Sequence, residues 1–449
     1  MAIEIIRDRS YLIAADEGDG EWFETVHQIH QKMLQEMDLS SVERMDAARA
    51  REAVTVAARQ LVTQYFPSLL GDDRERVIKR VIDEAIGFGP IEALLDDDSI
   101  SEVMVNAPDE VFFERDGVLH LSPLRFRDNA HIMRIVERII APLGRRIDES
   151  SPFVDARLPD GSRVNVVIPP LVPRSPTMTI RKFRREKYKM ADLVGNGTMT
   201  RPIATFLEAA VKQRLNIVIS GGTGTGKTTL LNALSAFVPE TERIVSIEDP
   251  IEMKLQQAHV VAMEARPPNI EGKNEVTQRD LVRNALRMRP DRIIVGEVRS
   301  AEAFDMLQAM NTGHEGSLTT VHANSPRDAM VRIENMVMMA GFDLPVRAIR
   351  EQIVSAVHLV LQIARFSDGR RRLTHITEVT GREGDTITMQ DIFTFRQQGI
   401  DAKGHVVGAL EHTGLIPTFA DQFALGGIRL EDMGLLIGGN GHGSAHHGR

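Results

Sequence analysis

The chain has 449 residues, and its 54 Lys and Arg against 63 Asp and Glu give a formal net charge of −9 at pH 7. An acidic chain without a long basic block is a poor candidate for a protein held mainly by nucleic-acid phosphates, although a local basic groove stays open. There are no cysteines, which excludes disulfides, thiolate zinc sites and cysteine nucleophiles. At roughly 150 residues per domain, the length suggests about three folding units.

The proportions of hydrophobic and charged residues indicate a globular protein with substantial buried cores. Hydrophobic residues make up 42% of the chain and charged residues 26%, which is typical of globular proteins. No run of about 18 apolar residues occurs, so we predict no membrane-spanning helix. Residues 1–8 lack a basic head followed by an apolar run, so we expect no secretory signal. These features favour a soluble protein of the cytoplasm.

The spacing of the apolar residues divides the first part of the chain into three segments. Residues 1–40 are mixed and acidic, and we expect a variable arm that is mobile or partly helical. Apolar residues recur at helical spacing between 41 and 98, which predicts a small helical bundle. Alternating apolar residues in 99–188, with hairpin signals at Asp116-Gly117 and at 159–161, predict an α+β domain built on an antiparallel sheet.

Between residues 189 and 437, short apolar runs alternate with helical stretches. This alternation predicts an α/β domain in which helices cover a parallel sheet. Residues 438–449, rich in Gly and His, predict a disordered tail. The runs that we interpret as buried strands lie at 217–219, 244–247, 293–295 and 318–321.

The motif with the most specific chemistry follows the first of these strands. It fits the P-loop pattern G-x-x-x-x-G-K-[ST], with a strand before it and a helix after it. Glycines let backbone N–H groups turn inward around phosphate oxygens, and the helix N-terminus adds partial positive charge. Lys227 can reach the β- and γ-phosphates, while the Thr228 hydroxyl can ligate Mg²⁺. The predicted nucleotide-binding residues are Gly221, Gly222, Thr223, Gly224, Thr225, Gly226, Lys227, Thr228 and Thr229.

Two glutamates close predicted strands of the same sheet. The apolar strand from Arg292 ends at Glu297, which we predict to be the general base for an attacking water. The usual metal-orienting Asp is absent, because Gly296 stands just before Glu297. Glu248 also follows a buried strand, and strand ends at one edge of a parallel sheet converge on the ligand. We expect Glu248 to position Mg²⁺ or water, with a solvated turn as the open alternative.

Histidines and arginines complete the set of candidate residues. His314 and His322 flank the predicted strand at 318–321, and we predict a polar sensor of the γ-phosphate there. Zinc is disfavoured, because no H-E-x-x-H spacing and no thiolate occur. A guanidinium delivered from a neighbouring domain or subunit can offset charge on the transferred phosphoryl group. The candidates for that role are Arg157, Arg163 and Arg181.

The order of these motifs resembles the secretion ATPase superfamily. Within it the chain, from about residue 45 to 420, is most similar to the CpaF-type ATPases of tight-adherence (Flp-type) pili. The matching segments are 155–165 for the arginine motif of the N-terminal domain, 221–228 for Walker A, 248–252 for the Asp box, 296–297 for Walker B and 312–324 for the His box.

The resemblance implies a RecA-like motor domain hinged on a PAS-like N-terminal domain, with ATP at their junction, in a homo-hexameric ring. It further implies work at the cytoplasmic face of the inner membrane against a platform protein, and so indirectly on pilin. We therefore expect an Mg²⁺-dependent ATPase that drives assembly of a tight-adherence pilus, with retraction left open and no nucleic acid as partner. A type IV secretion or conjugation ATPase is an alternative. A RecA-like nucleic-acid motor, suggested by the basic cluster at 181–185, is another.

Overall fold

The structure is a computed structural model of a chain that divides into two compact units, Met1–Arg185 and Glu186–Arg449. The predicted disordered tail and parts of the predicted arm and of the basic cluster lie outside the described residues. In the described part of the chain, no helix is both long and apolar enough to cross a membrane. The residues that the structure describes are 19–37, 45–115, 117–183, 188–268, 273–402, 404–427 and 429–435.

The first unit begins with helices that share one apolar core. They are α1 (Asp19–Glu36), α2 (Ala47–Tyr65) and α3 (Gly71–Ile86). Val26, Ile29 and Met33 lie on one face of α1 and are buried against the other two helices. A segment that the sequence left as mobile or partly helical is therefore a packed helix. Val54 and Ala58 are buried on α2, as their helical spacing predicted.

A six-stranded antiparallel sheet in the order β3-β2-β1-β6-β5-β4 forms the rest of the first unit. The predicted hairpins are present as β2–β3 and β4–β5, although Asp116 of the first turn lies outside the described residues. Helix α5 buries Ile132, Ile135 and Ile139 in the core of this sheet. The elements are α4 (Glu92–Asp96), β1 (Ile100–Ala107), β2 (Glu110–Arg115), β3 (Val118–Leu121), α5 (Asn129–Ile140), β4 (Phe153–Arg157), β5 (Arg163–Val167) and β6 (Thr177–Arg181).

A nine-stranded sheet in the order β15-β14-β13-β12-β7-β11-β10-β8-β9 organises the second unit. The strands from β12 to β9 in this order are parallel, and β13 to β15 add an antiparallel meander at one side. The sequence predicted β7, β8, β10 and β11 but missed the others. The strands are β7 (Ile217–Gly221), β8 (Ile244–Glu248), β9 (Val260–Glu264), β10 (Arg292–Val298), β11 (Leu318–Val321), β12 (Leu359–Arg365), β13 (Arg371–Glu383), β14 (Thr386–Ile400) and β15 (Val406–His412).

Helices cover both faces of the parallel strands. On β7, Ile217 and Ile219 belong to one apolar core and Val218 to the other, as expected for a strand buried on two sides. The predicted α/β fold of RecA-like type is confirmed, and the carboxyl ends of β7, β11, β10 and β8 share one edge. The helices are α6 (Met190–Gly195), α7 (Arg201–Lys212), α8 (Lys227–Ser235), α9 (Gln278–Ala285), α10 (Glu302–Asn311), α11 (Pro326–Met339), α12 (Val346–Ala356) and α13 (Ala420–Leu425).

Candidate active site

The loop between β7 and α8 needs glycine at three of its positions. Gly224 and Gly226 have φ values of +69° and +96°, which residues with a Cβ rarely adopt. Gly221 is required for space, because a Cβ there would lie 2.5 Å from the carbonyl oxygen of Ile363 on β12. These requirements are typical of a loop whose backbone N–H groups turn toward a phosphate.

The side chains of the loop bind its own carbonyl groups. Lys227 Nζ donates to the carbonyl oxygens of Gly221 at 3.0 Å and Gly222 at 2.9 Å. Thr225 Oγ1 donates to the Gly222 carbonyl at 2.9 Å. The ammonium group therefore lies within the loop, next to the backbone that we expect to hold phosphates. The other predicted side chains of the loop and of the first turn of α8 are half-buried or exposed: Thr223, Thr228 and Thr229.

Three more predicted residues lie at the carboxyl ends of strands in the same sheet as β7. His322 follows β11, Glu297 lies near the end of β10, and Glu248 ends β8, so all three are at the P-loop edge of the sheet. Burial lowers the pKa of His322, Lys227 lowers it further, and Glu297 raises it, with a net decrease. Lys227 and Glu297 are therefore both close enough to His322 to shift its pKa.

Arg299 holds Glu297, and the sequence interpretation missed it. Its Nε and Nη2 donate to Glu297 Oε2 at 3.0 and 2.8 Å. Within the described ranges, Glu297 Oε1 accepts no hydrogen bond, so Arg299 fixes the carboxylate through one oxygen only. The spacing could have revealed this pair, because an acidic and a basic residue two positions apart at the end of a strand are close enough to form an ion pair.

Glu248 is buried between β8 and β10. Its Oε2 accepts the backbone N–H groups of Glu252 at 2.7 Å and Met253 at 2.8 Å. Its Oε1 is buried and has no hydrogen-bond partner among the residues described. Burial raises the pKa of Glu248, the two N–H groups lower it, and the net shift is upward. A Cβ at Gly296 would lie 3.0 Å from Glu248 Cγ, so the Glu248 side chain occupies the space beside the position where the expected aspartate is absent.

His314 lies at the opposite edge of the sheet. It precedes β11, which runs parallel to β7 with Leu318 beside Ile217 and Val321 beside Ser220. The 4 residues of β11 span about 13 Å at roughly 3.3 Å per residue. The prediction that His314 senses phosphate at this chain's P-loop is therefore corrected. Motif order alone did not reveal that the two histidines stand at opposite ends of one strand.

The loop that carries His314 is an anchored structural element. Arg292, fully buried at the start of β10, donates to the Gly316 carbonyl at 3.1 Å and pairs with Glu242. Asn216 Oδ1 accepts the N–H groups of Gly316 at 2.8 Å and Ser317 at 3.0 Å. The residues around His314 therefore stabilise the fold, whereas His322 lies at the P-loop edge.

In the first unit, the three predicted arginines form one row across the sheet. Arg157 on β4 is opposite Arg163 on β5, which is opposite Arg181 on β6. Arg157 Nε donates to the Gly161 carbonyl at 3.2 Å, and Arg181 Nε lies 3.7 Å from Glu102 Oε1 on β1. Directly opposed residues share one face, and like charges there are destabilising. The row therefore gathers positive charge on one face of the sheet.

A family model described as type II/IV secretion system protein matches residues 84–407. The chain belongs to this family. Its ATPases are ATP-hydrolysing enzymes, and this secretion ATPase is one of them. The α/β fold, the P-loop and the glutamates at the strand ends agree with that assignment.

The relatives of this secretion ATPase include proteins of conjugation and type IV secretion. A Mycobacterium tuberculosis protein, provisionally named as a conjugal transfer protein, is 40% identical over 323 residues, which cover 70% of this chain and 91% of that protein. The conjugal transfer protein TrbB of Rhizobium radiobacter is 34% identical, with 65% and 86% covered. A crystal structure of the VirB11 ATPase from the Brucella suis type IV secretion system, in complex with sulphate, is 30% identical, covers 64% and 94%, and has a TM-score of 0.35.

The oxygen atoms at the P-loop edge fit a magnesium ion. Thr228 supplies a hydroxyl at the first turn of α8, and the unpaired Glu248 Oε1 is a buried carboxylate oxygen that needs a partner. In the described ranges, no group of three or more His, Asp and Glu is placed to hold a metal. Mg²⁺ keeps several waters and binds through one or two carboxylates and the phosphates of its substrate, so the Thr228 hydroxyl and the Glu248 carboxylate are oxygen ligands of the right kind for it.

Proposed function

We propose that this ATPase works as a Mg²⁺-dependent hexameric ring at the cytoplasmic face of the inner membrane and powers assembly of a tight-adherence type IV pilus. It would act on platform proteins and, through them, on pilin. The observation that carries the catalytic part is that Lys227, Glu297 and His322 lie at one edge of the sheet, just after β7, near the end of β10 and just after β11. The pilus part is supported by the resemblance of residues from about 45 to 420 to the pilus ATPases.

In this proposal Glu297 accepts the proton of the water that attacks the γ-phosphate in line. Arg299 holds Oε2, so Oε1 takes the proton. Lys227 exchanges its bonds to the loop carbonyls for bonds to phosphate oxygens, where its charge stabilises the transition state. The lowered pKa of His322 keeps its imidazole neutral near pH 7, so it donates one hydrogen bond without adding a full charge.

Two further groups would neutralise phosphate charge. Mg²⁺, which supplies that neutralisation when bound, would be held by the Thr228 hydroxyl and, through water, by Glu248. The arginine row in the first unit, of the same or a neighbouring copy, would supply positive charge when the site closes. The row supports this role because it gathers three cationic residues on one face of the sheet; its members are Arg157, Arg163 and Arg181.

Replacing the proposed base tests the mechanism. Glu297→Gln keeps the size and a hydrogen-bond acceptor for Arg299 but cannot take a proton at pH 7. We expect nucleotide binding within about twofold of wild type and turnover reduced roughly 10²–10⁴-fold, the usual contribution of a general base. Glu315→Gln, an exposed position at the opposite edge of the sheet, is the matched control and should hydrolyse normally. Undiminished hydrolysis by Glu297→Gln would remove Glu297 from this role.

The conjugal transfer relatives favour a second candidate function, which is a type IV secretion or conjugation ATPase. Cells that lack this protein, complemented with wild type or Glu297→Gln, separate the two. Loss of surface pili with normal conjugal transfer supports the pilus function. Loss of transfer with normal pili supports the second candidate.

A further inference from the structure

Arg371, at the start of β13, connects the antiparallel meander to the P-loop. It pairs with Arg365 across the turn between β12 and β13. Its Nε donates to the Gly224 carbonyl at 2.9 Å, and a Cβ at Gly226 would lie 3.3 Å from its Cδ. The Arg371 side chain, from outside the loop, thus donates a hydrogen bond at Gly224 and lies beside Gly226.

The bond to Gly224 sets the orientation of one peptide plane. In a trans peptide, the carbonyl group and the following N–H point in opposite directions. Because the Gly224 carbonyl points toward Arg371, the Thr225 N–H points away from it. Gly224 has a φ of +69°, and glycine allows such a plane more orientations than other residues do. Arg371 therefore fixes a backbone donor that the loop would otherwise leave free to turn.

Buried side chains hold the turn that carries Arg371. The Asp368 side chain, only 1% exposed, pairs with Arg372 at 3.3 Å. Its Oδ2 also accepts the N–H of Val406 on β15 at 3.0 Å. These two contacts tie the turn to the start of β13 and to β15, so the turn that carries Arg371 is anchored on both sides. The Arg372 guanidinium also lies over two aromatic rings, those of Phe366 and Phe395.

We propose that Arg371 is a positioning residue of the nucleotide site, which holds the P-loop in its phosphate-binding conformation. This inference rests on the proposed function of the loop as an ATP site. A loop held in one conformation does not have to be ordered by the ligand, so its affinity is higher. The peptide between Gly224 and Thr225 would contact the phosphates equally in the ground state and in the transition state. Arg371 therefore strengthens binding more than it accelerates the chemical step.

Alanine and lysine substitutions test this role. We compare Arg371→Ala and Arg371→Lys with Arg370→Ala, which loses the same charge from an exposed neighbouring side chain. Equilibrium binding of a fluorescent ADP analogue, kcat and KM for ATP, and the melting temperature without nucleotide are measured for each. For Arg371→Ala we expect Kd and KM to rise about tenfold, the effect of losing one charged hydrogen bond. We expect kcat to change less than about threefold, Arg371→Lys to recover part of the affinity, and Arg370→Ala to match wild type.

Equal nucleotide affinity in the two alanine variants would overturn the inference. A lower melting temperature with unchanged Kd and KM would also overturn it, because Arg371 would then be an ordinary strand residue. If Arg371→Ala does not fold, the Kd values of Arg371→Gln and Arg371→Lys decide in the same way. A wild-type protein that neither binds nor hydrolyses nucleotide would instead refute the proposed function.

Discussion

Gly316 stands where no other residue fits. It precedes β11 with a φ of +82°, and a Cβ there would lie 1.7 Å from Arg292 Nη1 and 3.0 Å from the Cα of Arg214. Gly316→Ala must therefore displace the Arg292 guanidinium, which is fully buried and paired with Glu242.

The cost of this displacement follows from two effects. Placing a residue with a Cβ at left-handed φ costs about 1–2 kcal/mol. Separating a buried charge from its partner costs about 3–5 kcal/mol more. Together they lower the free energy of unfolding of the second unit by roughly 4–7 kcal/mol, enough to unfold a large fraction of a protein of ordinary stability.

A neighbouring glycine separates the two effects. Gly313 has a φ of +88°, but a Cβ there would meet no atom of the described residues within 4 Å, so Gly313→Ala should lose only about 1–2 kcal/mol. Urea unfolding followed by far-UV circular dichroism gives both values. A loss in Gly316→Ala no larger than in Gly313→Ala would refute the account of Arg292 as an anchor.

The remaining predictions concern titratable groups. The pKa of Glu248 is raised, chiefly by burial, so hydrolysis should fall with decreasing pH at a pH above the pKa of an ordinary glutamate. The pH–rate profile of Glu248→Gln should lack this acid limb. An unchanged acid limb in that variant would contradict the assignment. His322→Ala should lower kcat at saturating ATP at least about tenfold, while His314→Ala, at the far edge, should change it less than about threefold. Burial lowers the pKa of His30 from 6.5 to about 4. The unfolded chain therefore binds the proton first as pH falls from 6.5 toward 4, and the first unit loses stability over that window, on the order of 3 kcal/mol. His30→Gln should remove that dependence, as acid titrations of the melting temperature would show.

The sequence predicted those parts of the fold whose residue pattern is compatible with few backbone conformations. The P-loop glycines and most of the strands that are buried on both faces, such as β7, were recognised because each pattern has few structural alternatives, although the equally buried β12 was missed. Strand β9 and the meander were missed because their exposed positions interrupt any clean alternation. Helix α1 was left undefined because its apolar face is narrow, and its partners are separate helices.

Contacts between distant parts of the chain could not be predicted from one sequence. Arg371 is 147 residues from Gly224, and only the insertion of β12 beside β7 brings them together. The sequence analysis placed Arg292 at the start of a strand and gave it no further role, whereas the fold places it in a network with Gly316. By contrast, the ion pair of Glu297 and Arg299 could have been predicted, because the two residues are close together in the sequence.

Steady-state ATP hydrolysis by the purified protein, over a range of protein concentrations and with or without DNA, tests the central claim most directly. If neighbouring copies in a ring complete each other's sites, specific activity should rise with protein concentration and should be the same with and without DNA. Specific activity that is independent of concentration would contradict the shared site. Strong stimulation by DNA would instead indicate a nucleic-acid motor.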